Sequence, residues 1–454
     1  MNMIKMKAWR IMAVVALSST ALYSNAQNSS GAMVMNLEQC LEYAKENSIT
    51  LKQAQLSVDD AGIDESTAKS AFLPSLSASV SQGFSNSPFI SGDNPSSYNG
   101  SVNKSSYNGS YGVDLNMTLY NGGENILNLQ QSRVSTEIAK LSVAQQEDVL
   151  EINIAQLYVE ILYTIEQIGV VEKSIDLAKR SLERGAAMKE VGSLNEADYA
   201  LLESAVASEE YNLVVAQTSL SNKYVQLKQL LELANEATLE VSATEIEGNN
   251  SINRAIPSIN EVYVAAMDIR PEITSSTLSI ESAILNKKIA QSGYLPTVNL
   301  SAGIGVNHLT GSNYTFSYQL KNNYSNSIGL NIQIPIFSKF QTRNSVLKSQ
   351  NAIDWANLNY TDKTKELYQT IETLHTNAIN AQSMYLVSDS KLKALEKSLM
   401  LVTEQYNVGA KNIIELLTEQ DDYRVAAQDF LQNKYTLMLN KALLEYYQTG
   451  IIKL

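Results

Sequence analysis

One cysteine and two histidines serve 454 residues, and that scarcity removes whole classes of chemistry. Cys40 has no partner for an intrachain disulfide, and within the helical pattern "LEQCLEYA" it reads as a buried structural thiol. His308 and His375 stand far apart, and neither metal-ligand spacing nor a nucleophile motif accompanies them. No metal site, no cofactor and no enzyme is therefore expected, and His375 reads as a helix-surface residue. Proline is also sparse and unevenly placed: none of the seven falls between Pro95 and Pro257 or after Pro335. Long uninterrupted helices require such gaps. Positive charge is short as well, with 34 Lys and Arg against 47 Asp and Glu, which makes nucleic acid a poor partner. Acidic doublets such as Asp59-Asp60 and Asp421-Asp422 read as solvated faces.

The N-terminus carries Lys5, Lys7 and Arg10, then the apolar run Ile11 to Leu22, then Ser24-Asn25-Ala26 before Gln27. These are the three parts of a secretory signal peptide with a small-x-small cleavage site, and they predict removal of residues 1–26 and export. Cleavage takes away three basic residues and no acidic ones, so 31 basic face 47 acidic residues and the formal charge becomes −16. No cysteine follows the cut to carry a lipid. No later apolar segment reaches the roughly 18 residues of a transmembrane helix. A chain of this kind enters a membrane only as strands.

Strands are present. From Pro296 to Val306, Val298, Leu300, Ala302, Ile304 and Val306 alternate with Thr297, Asn299, Ser301, Gly303 and Gly305, which gives one apolar and one polar face. The sequence is also written twice. "AKSAFLPSLSASV" from Ala68 is echoed by "AQSGYLPTVNLSAGI" from Ala290, so that Pro74 matches Pro296 at an offset of 222. "VGSLNEADYALLES" from Val191 pairs with "VGAKNIIELLTEQ" from Val408 at an offset of 217. The expected organisation is a signal peptide (1–26), a first repeat (27–234), a linker (235–257) and a second repeat (258–454). Each repeat holds a helical segment of about 37 residues (Asn36 to Phe72; Ser258 to Tyr294) and a β-hairpin, about 75–120 or 297–337. A long helical hairpin follows, with its turn near 192 or 409.

The helical stretches Glu124 to Val191 and Arg343 to Val408 would each run on the order of 100 Å if unbroken. Leu392, Leu395, Leu399, Val402 and Tyr406 step by threes and fours, and Ile175, Ala178 and Leu182 do the same, marking coiled-coil seams. Such helices are too long and too narrowly striped to cover a small sheet. The apolar strand faces, flanked by Phe72, Tyr111, Tyr120, Tyr294 and Phe337, fit lipid and its aromatic girdles instead. Four strands cannot close a barrel, and open edges find no hydrogen-bond partners in lipid, so the chain must oligomerise. Three chains would supply twelve strands around an aqueous duct. A secreted, soluble coiled-coil structural protein is the alternative; it would leave the four matched strands without a task.

The signal peptide, the duplicated helix-hairpin-helix units, "FLP" and "YLP" before the strands, and "YNVGAKNIIELL" at the second turn together resemble the TolC-type outer membrane efflux proteins (outer membrane factors). The resemblance implies a mainly α fold with a membrane β-barrel portion: a homotrimer in which four strands per chain build a shared 12-stranded β-barrel and the coiled α-hairpins build a periplasmic α-barrel. It implies a passive exit duct in the cell outer membrane for a tripartite efflux or type I secretion system. Its partners would be a periplasmic adaptor (membrane fusion) protein, an inner membrane pump and outer membrane lipid. The resemblance further places an adaptor-contact tip at Val191, Gly192, Val408 and Gly409. It places a periplasmic gate on Tyr406, Lys411 and Glu415, with Asp198 from the first turn. A second acidic position, one turn beyond Glu415, is Thr418 here. Lys411 and Glu415, four apart at the start of a helix, could equally pair with each other on its surface.

Overall fold

The computed structural model describes residues 33–86, 105–234, 236, 238–242, 255–310 and 314–454. The signal peptide and its Ala26 boundary, most of the inter-repeat linker and the outer loop of the first β-hairpin lie outside the described residues.

In chain order the first half contains β1 (Met33–Met35), α1 (Leu37–Asn47), α2 (Ile49–Ser70), β2 (Ser75–Asn86), β3 (Ser105–Asn121), α3 (Glu124–Glu190) and α4 (Glu196–Leu230). The short β4 (Leu239–Val241) follows. The second half contains α5 (Ile259–Ile269), α6 (Pro271–Ser292), β5 (Thr297–Leu309), α7 (Phe316–Asn322), β6 (Tyr324–Gln333), α8 (Gln341–Asn407) and α9 (Ile413–Thr449). Matched helices have matched lengths: 11 residues in α1 and α5, 22 in α2 and α6, 67 in α3 and α8.

The leading helical segment of each half is two helices rather than the single one expected. Ser48 takes ψ 125° and its hydroxyl accepts from the Leu51 amide, so one residue ends α1 and caps α2. Arg270 takes the same ψ of 125° because it precedes Pro271, whose ring disfavours helical backbone at the residue before it. Capping boxes at Asn36 with Gln39 and at Ser258 with Glu261 start the two halves alike.

The main sheet has the order β2-β3-β5-β6, antiparallel throughout. Leu76 lies opposite Leu115, Val113 opposite Ile304, and Leu300 opposite Leu330, so the apolar residues of all four strands share one face. That face is bare: Leu76, Val80, Phe84 and Ile328 are 70–79% exposed. Polar groups line the other face, where the Thr118 hydroxyl donates to Asn299 Oδ1 at 3.0 Å. The strand expected to run to about 337 ends at Gln333; Pro335 has no N–H to give to a ladder. The seven-residue α7 in the second outer loop, and the parallel pair β1-β4 beside the linker, had no signal in the hydrophobic periodicity.

The principal core lies at the waist, where α3, α4, α9 and the α1 segment meet through Ile154, Ile161, Leu227 and Tyr446. Cys40 is buried there, and burial pushes its thiol up to about 12. One stretch of α3 is long and apolar enough to pass as a membrane span, contrary to expectation, but half of it is buried inside the chain, as the core of a helical bundle is.

Candidate functional site

The long helices carry the chain away from the sheet to two turns, and each turn is built the same way. Beyond α3, Gly192 takes φ +74°, its N–H donates to Lys189 O at 2.9 Å, and the Ser193 N–H donates to Met188 O at 2.8 Å. Beyond α8, Gly409 takes φ +78°, with Gly409 N–H to Tyr406 O at 3.1 Å and Ala410 N–H to Gln405 O at 2.8 Å. This is the Schellman arrangement, which needs a left-handed residue that glycine supplies at little cost. Asparagine then restarts each helix. Asn195 Oδ1 accepts from the Asp198 amide at 2.8 Å, and Asn412 Oδ1 accepts from the Glu415 amide at 2.9 Å.

Between the turns the two hairpins touch. Leu202, Tyr406, Ile413 and Leu416 form a small buried cluster joining α4 to the second hairpin. Gly185 lets this happen: a Cβ there would stand 2.2 Å from Leu202 Cδ1. Arg184 ties the seam from the other side, donating through Nη2 to Asn407 O at 2.6 Å.

The gate residues expected from the sequence divide into two settings. Tyr406 is 4% exposed and its hydroxyl has no hydrogen-bond partner among the described residues. Burial raises its pKa, nearby Arg184 opposes that rise, and Asp198 adds to it, so the phenol sits within electrostatic reach of both charges. Asp198 is tied locally, accepting from Asn195 Nδ2 at 2.9 Å. Lys411 and Glu415 lie nearer the surface and bond to each other. Glu415 uses one oxygen for Lys411 Nζ and the other for the Asn412 amide at 3.0 Å. Those two contacts hold its carboxyl below the usual carboxylate range. Thr418 is exposed and returns its hydroxyl to Ile414 O at 2.8 Å, so it supplies no second carboxylate. Val191 and Val408 are 76% and 79% exposed at the turns themselves.

Sequence reasoning missed the residues that cross between hairpins. Arg184 and Arg424 were not singled out, yet Arg424 Nε lies 3.3 Å from Glu209 Oε1 on α4. At the waist the buried Arg270 donates to Asp148 Oδ2 at 3.2 Å and lies over the rings of Tyr446 and Tyr447, at 4.6 and 4.2 Å from their centroids. Periodicity finds faces, and these contacts are tertiary.

A sheet with a lipid-compatible face and two open edges, continued by coiled hairpins that end at a common tip, defines a subunit of an oligomeric membrane channel. Comparison with known proteins gives the family. The sequence pattern described as "Outer membrane efflux protein" matches residues 40–232 and 262–445, and the chain belongs to that family. Its relatives include the outer membrane protein TolC of Salmonella enteritidis, 23% identical over 90% of this chain and 81% of the relative. The outer membrane efflux protein BepC of Brucella suis biovar 1 is 20% identical over 91% and 84%. In fold the chain is similar to the outer membrane protein VceC of Vibrio cholerae (TM-score 0.73, 17% identity, 91% of this chain and 96% of that one). It is likewise similar to the CmeC outer membrane channel of Campylobacter jejuni (TM-score 0.74, 17% identity, 92% and 86%). The chain is thus an outer membrane efflux channel and not an enzyme, a homotrimer with a helical periplasmic portion that docks with a periplasmic adaptor and an inner membrane pump. The secreted coiled-coil alternative falls with that assignment.

Proposed function

We propose that the tip holding Gly192 and Gly409 is both the closed gate of the duct and the surface that meets the adaptor. The observation that carries this reading is Tyr406, a polar side chain buried between two helical hairpins at their turns, its hydroxyl without a hydrogen-bond partner among the described residues. A buried hydroxyl without a partner costs free energy, so the contact that encloses it is a natural place for a seam to open. Closure rests on Tyr406 packing and on Arg184 reaching across to Asn407; Lys411 and Glu415 stand at the rim, where a ring of carboxylates would favour cations.

Planar-bilayer recordings test the gate. Tyr406→Ala combined with Arg184→Ala, which removes the packing and the bond to Asn407, raises single-channel conductance several-fold, and Glu415→Ala weakens cation preference and block by divalent cations. Unchanged conductance and selectivity in both variants overturns the gate. Photo-crosslinkers at Ser193 and Ala410 capture the adaptor; capture only from the outer loops overturns the docking assignment.

A further inference from the structure

The internal repeat carries information about a contact that a single chain does not contain. The β2-β3 and β5-β6 ladders superpose when β2 maps onto β5 at 222 and β3 onto β6 at 217: Leu76 opposite Leu115 becomes Val298 opposite Ile332, and Ser79 opposite Gly112 becomes Ser301 opposite Gly329. The mapping holds beyond the strands. Gly122 and Gly123 (φ +68° and +81°) fall on Lys339 and Phe340 (φ +51° and +62°), and Gly192 falls on Gly409.

The β3-β5 ladder joins the second strand of one repeat to the first strand of the next. Its counterpart, in the same order, is β6 against β2 of a second copy, and β2 and β6 are the two open edges. We infer that β6 pairs antiparallel with β2 of the adjacent copy in the register that the repeat imposes, Ile328 opposite Phe84, Asn331 opposite Ser81 and Gln333 opposite Ser79. These pairs come from Tyr111 opposite Val306, Asp114 opposite Gly303 and Asn116 opposite Ser301 in β3-β5. The register keeps Phe84, Val80, Ile328 and Ile332 on one face, as lipid demands; a slip of one residue would turn one set into the lumen.

Exposure in the helices points to the same neighbour. On α6, Pro271 and Leu285 are buried, whereas their counterparts on α2, Ile49 and Ile63, are 53% and 62% exposed. On α3, Ile138 and Leu141 are half-buried, whereas Trp355 and Leu358 on α8 are both 68% exposed. α3 covers α6 within the chain, so α8 of one copy covers α2 of the next. The α3-α6 pair is anchored by Asp148 with Arg270 near one end and Gly122 with Ser292 near the other. Carried across the repeat, those anchors set Trp355 beside Leu56 of the adjacent copy.

The inference rests on the trimer, and its test separates the two. In a Cys40→Ala background, oxidation links Ser81→Cys with Asn331→Cys, and Ser79→Cys with Gln333→Cys, into a reducible covalent trimer, because opposed Cα atoms lie about 4.5–5.5 Å apart. The crossed combinations, Ser81→Cys with Gln333→Cys and Ser79→Cys with Asn331→Cys, link far less. Linking that favours the crossed combinations in a particle of trimer mass overturns the register and leaves the trimer standing; a monomer in all four variants overturns both. Trp355 supplies a second reading, since the other tryptophan, Trp9, lies in the expected signal peptide. Leu56→Ser shifts Trp355 emission to the red in the linked trimer, and unchanged emission overturns the helix contact.

Discussion

The two periplasmic turns share a backbone and differ in what they do with it. In the first, Lys189 pairs with Glu196 at 2.7 Å and lies 4.3 Å from the centre of the Tyr199 ring, an arrangement facing water. In the second, the position matching Lys189 is Tyr406, and those matching Glu196 and Tyr199 are Ile413 and Leu416, all three buried against Leu202. Duplication supplied one hairpin twice, and substitution then turned one copy outward and the other inward. The asymmetry of the two turns therefore lies in side chains, because Schellman turn and asparagine cap are common to both.

The contact that separates the two turns is also the one whose loss should be largest. Leu202 is fully buried between Gly185 and Tyr406. Leu202→Ala should lower stability by about 2–5 kcal/mol, the usual cost of emptying a leucine site. The loss is local, so hydrogen exchange should rise at the tip while the waist core around Ile154 and Tyr446 stays protected. Uniform loss of protection would show that the tip is not a separate unit.

Where the sheet passes into the long helices, the comparison reverses. Gly122 is required, since a Cβ would stand 2.7 Å from Ser292 O, yet Lys339 occupies the matching left-handed position. Gly122→Ala should cost at least about 1–2 kcal/mol from the left-handed backbone alone. Lys339→Gly removes the same strain and gives back about 0.5–1 kcal/mol in unfolded-chain entropy, so its net effect is a gain of no more than about 1.5 kcal/mol. Thermal unfolding of the trimer measures both. Equal effects at the two sites would mean that the junctions are as close between chains as within one.

Much of this architecture was legible because it follows from periods. A period of two gave the strands and their faces, runs free of proline gave the long helices, and the offsets of 222 and 217 gave the order of elements. The breaks at Ser48 and Arg270 were legible in principle, one residue being a capping serine and the other preceding Pro271. The three-residue β1-β4 pair is too short for any period to show. At the tip, the glycines and the Lys411-Glu415 spacing could be read, because turns and i,i+4 neighbours are local. The partners of Arg184, Arg424 and Leu202 could not, since they depend on how one hairpin lies against another.

The smallest expected effect concerns Glu415 and separates two accounts of the second turn. Within one chain, hydrogen bonding from Lys411 comes first and the Asn412 amide second in holding its carboxyl below the ordinary 4.5. A carboxylate whose folded pKa is depressed contributes its stabilisation above the unfolded value and loses it as pH falls through the folded one. If this pairing governs, the difference in cation preference between the parent channel and Glu415→Ala should persist from neutral pH down past 4.5 and fade only below it. Threefold symmetry acts in the opposite direction, because three carboxylates brought towards one axis repel, and repulsion raises the pKa of each. If that repulsion governs, the difference should fade while pH is still above 4.5. Bilayer reversal potentials under a salt gradient, recorded for both channels across this range, give the midpoint. A midpoint below 4.5 leaves Glu415 as a helix cap that also carries charge at the rim; one above it makes the three carboxylates a coupled ring. At the first turn Leu194 stands in the place of Lys411 and Asp198 bonds to Asn195, so the lysine-carboxylate pair that this experiment addresses belongs to the second turn.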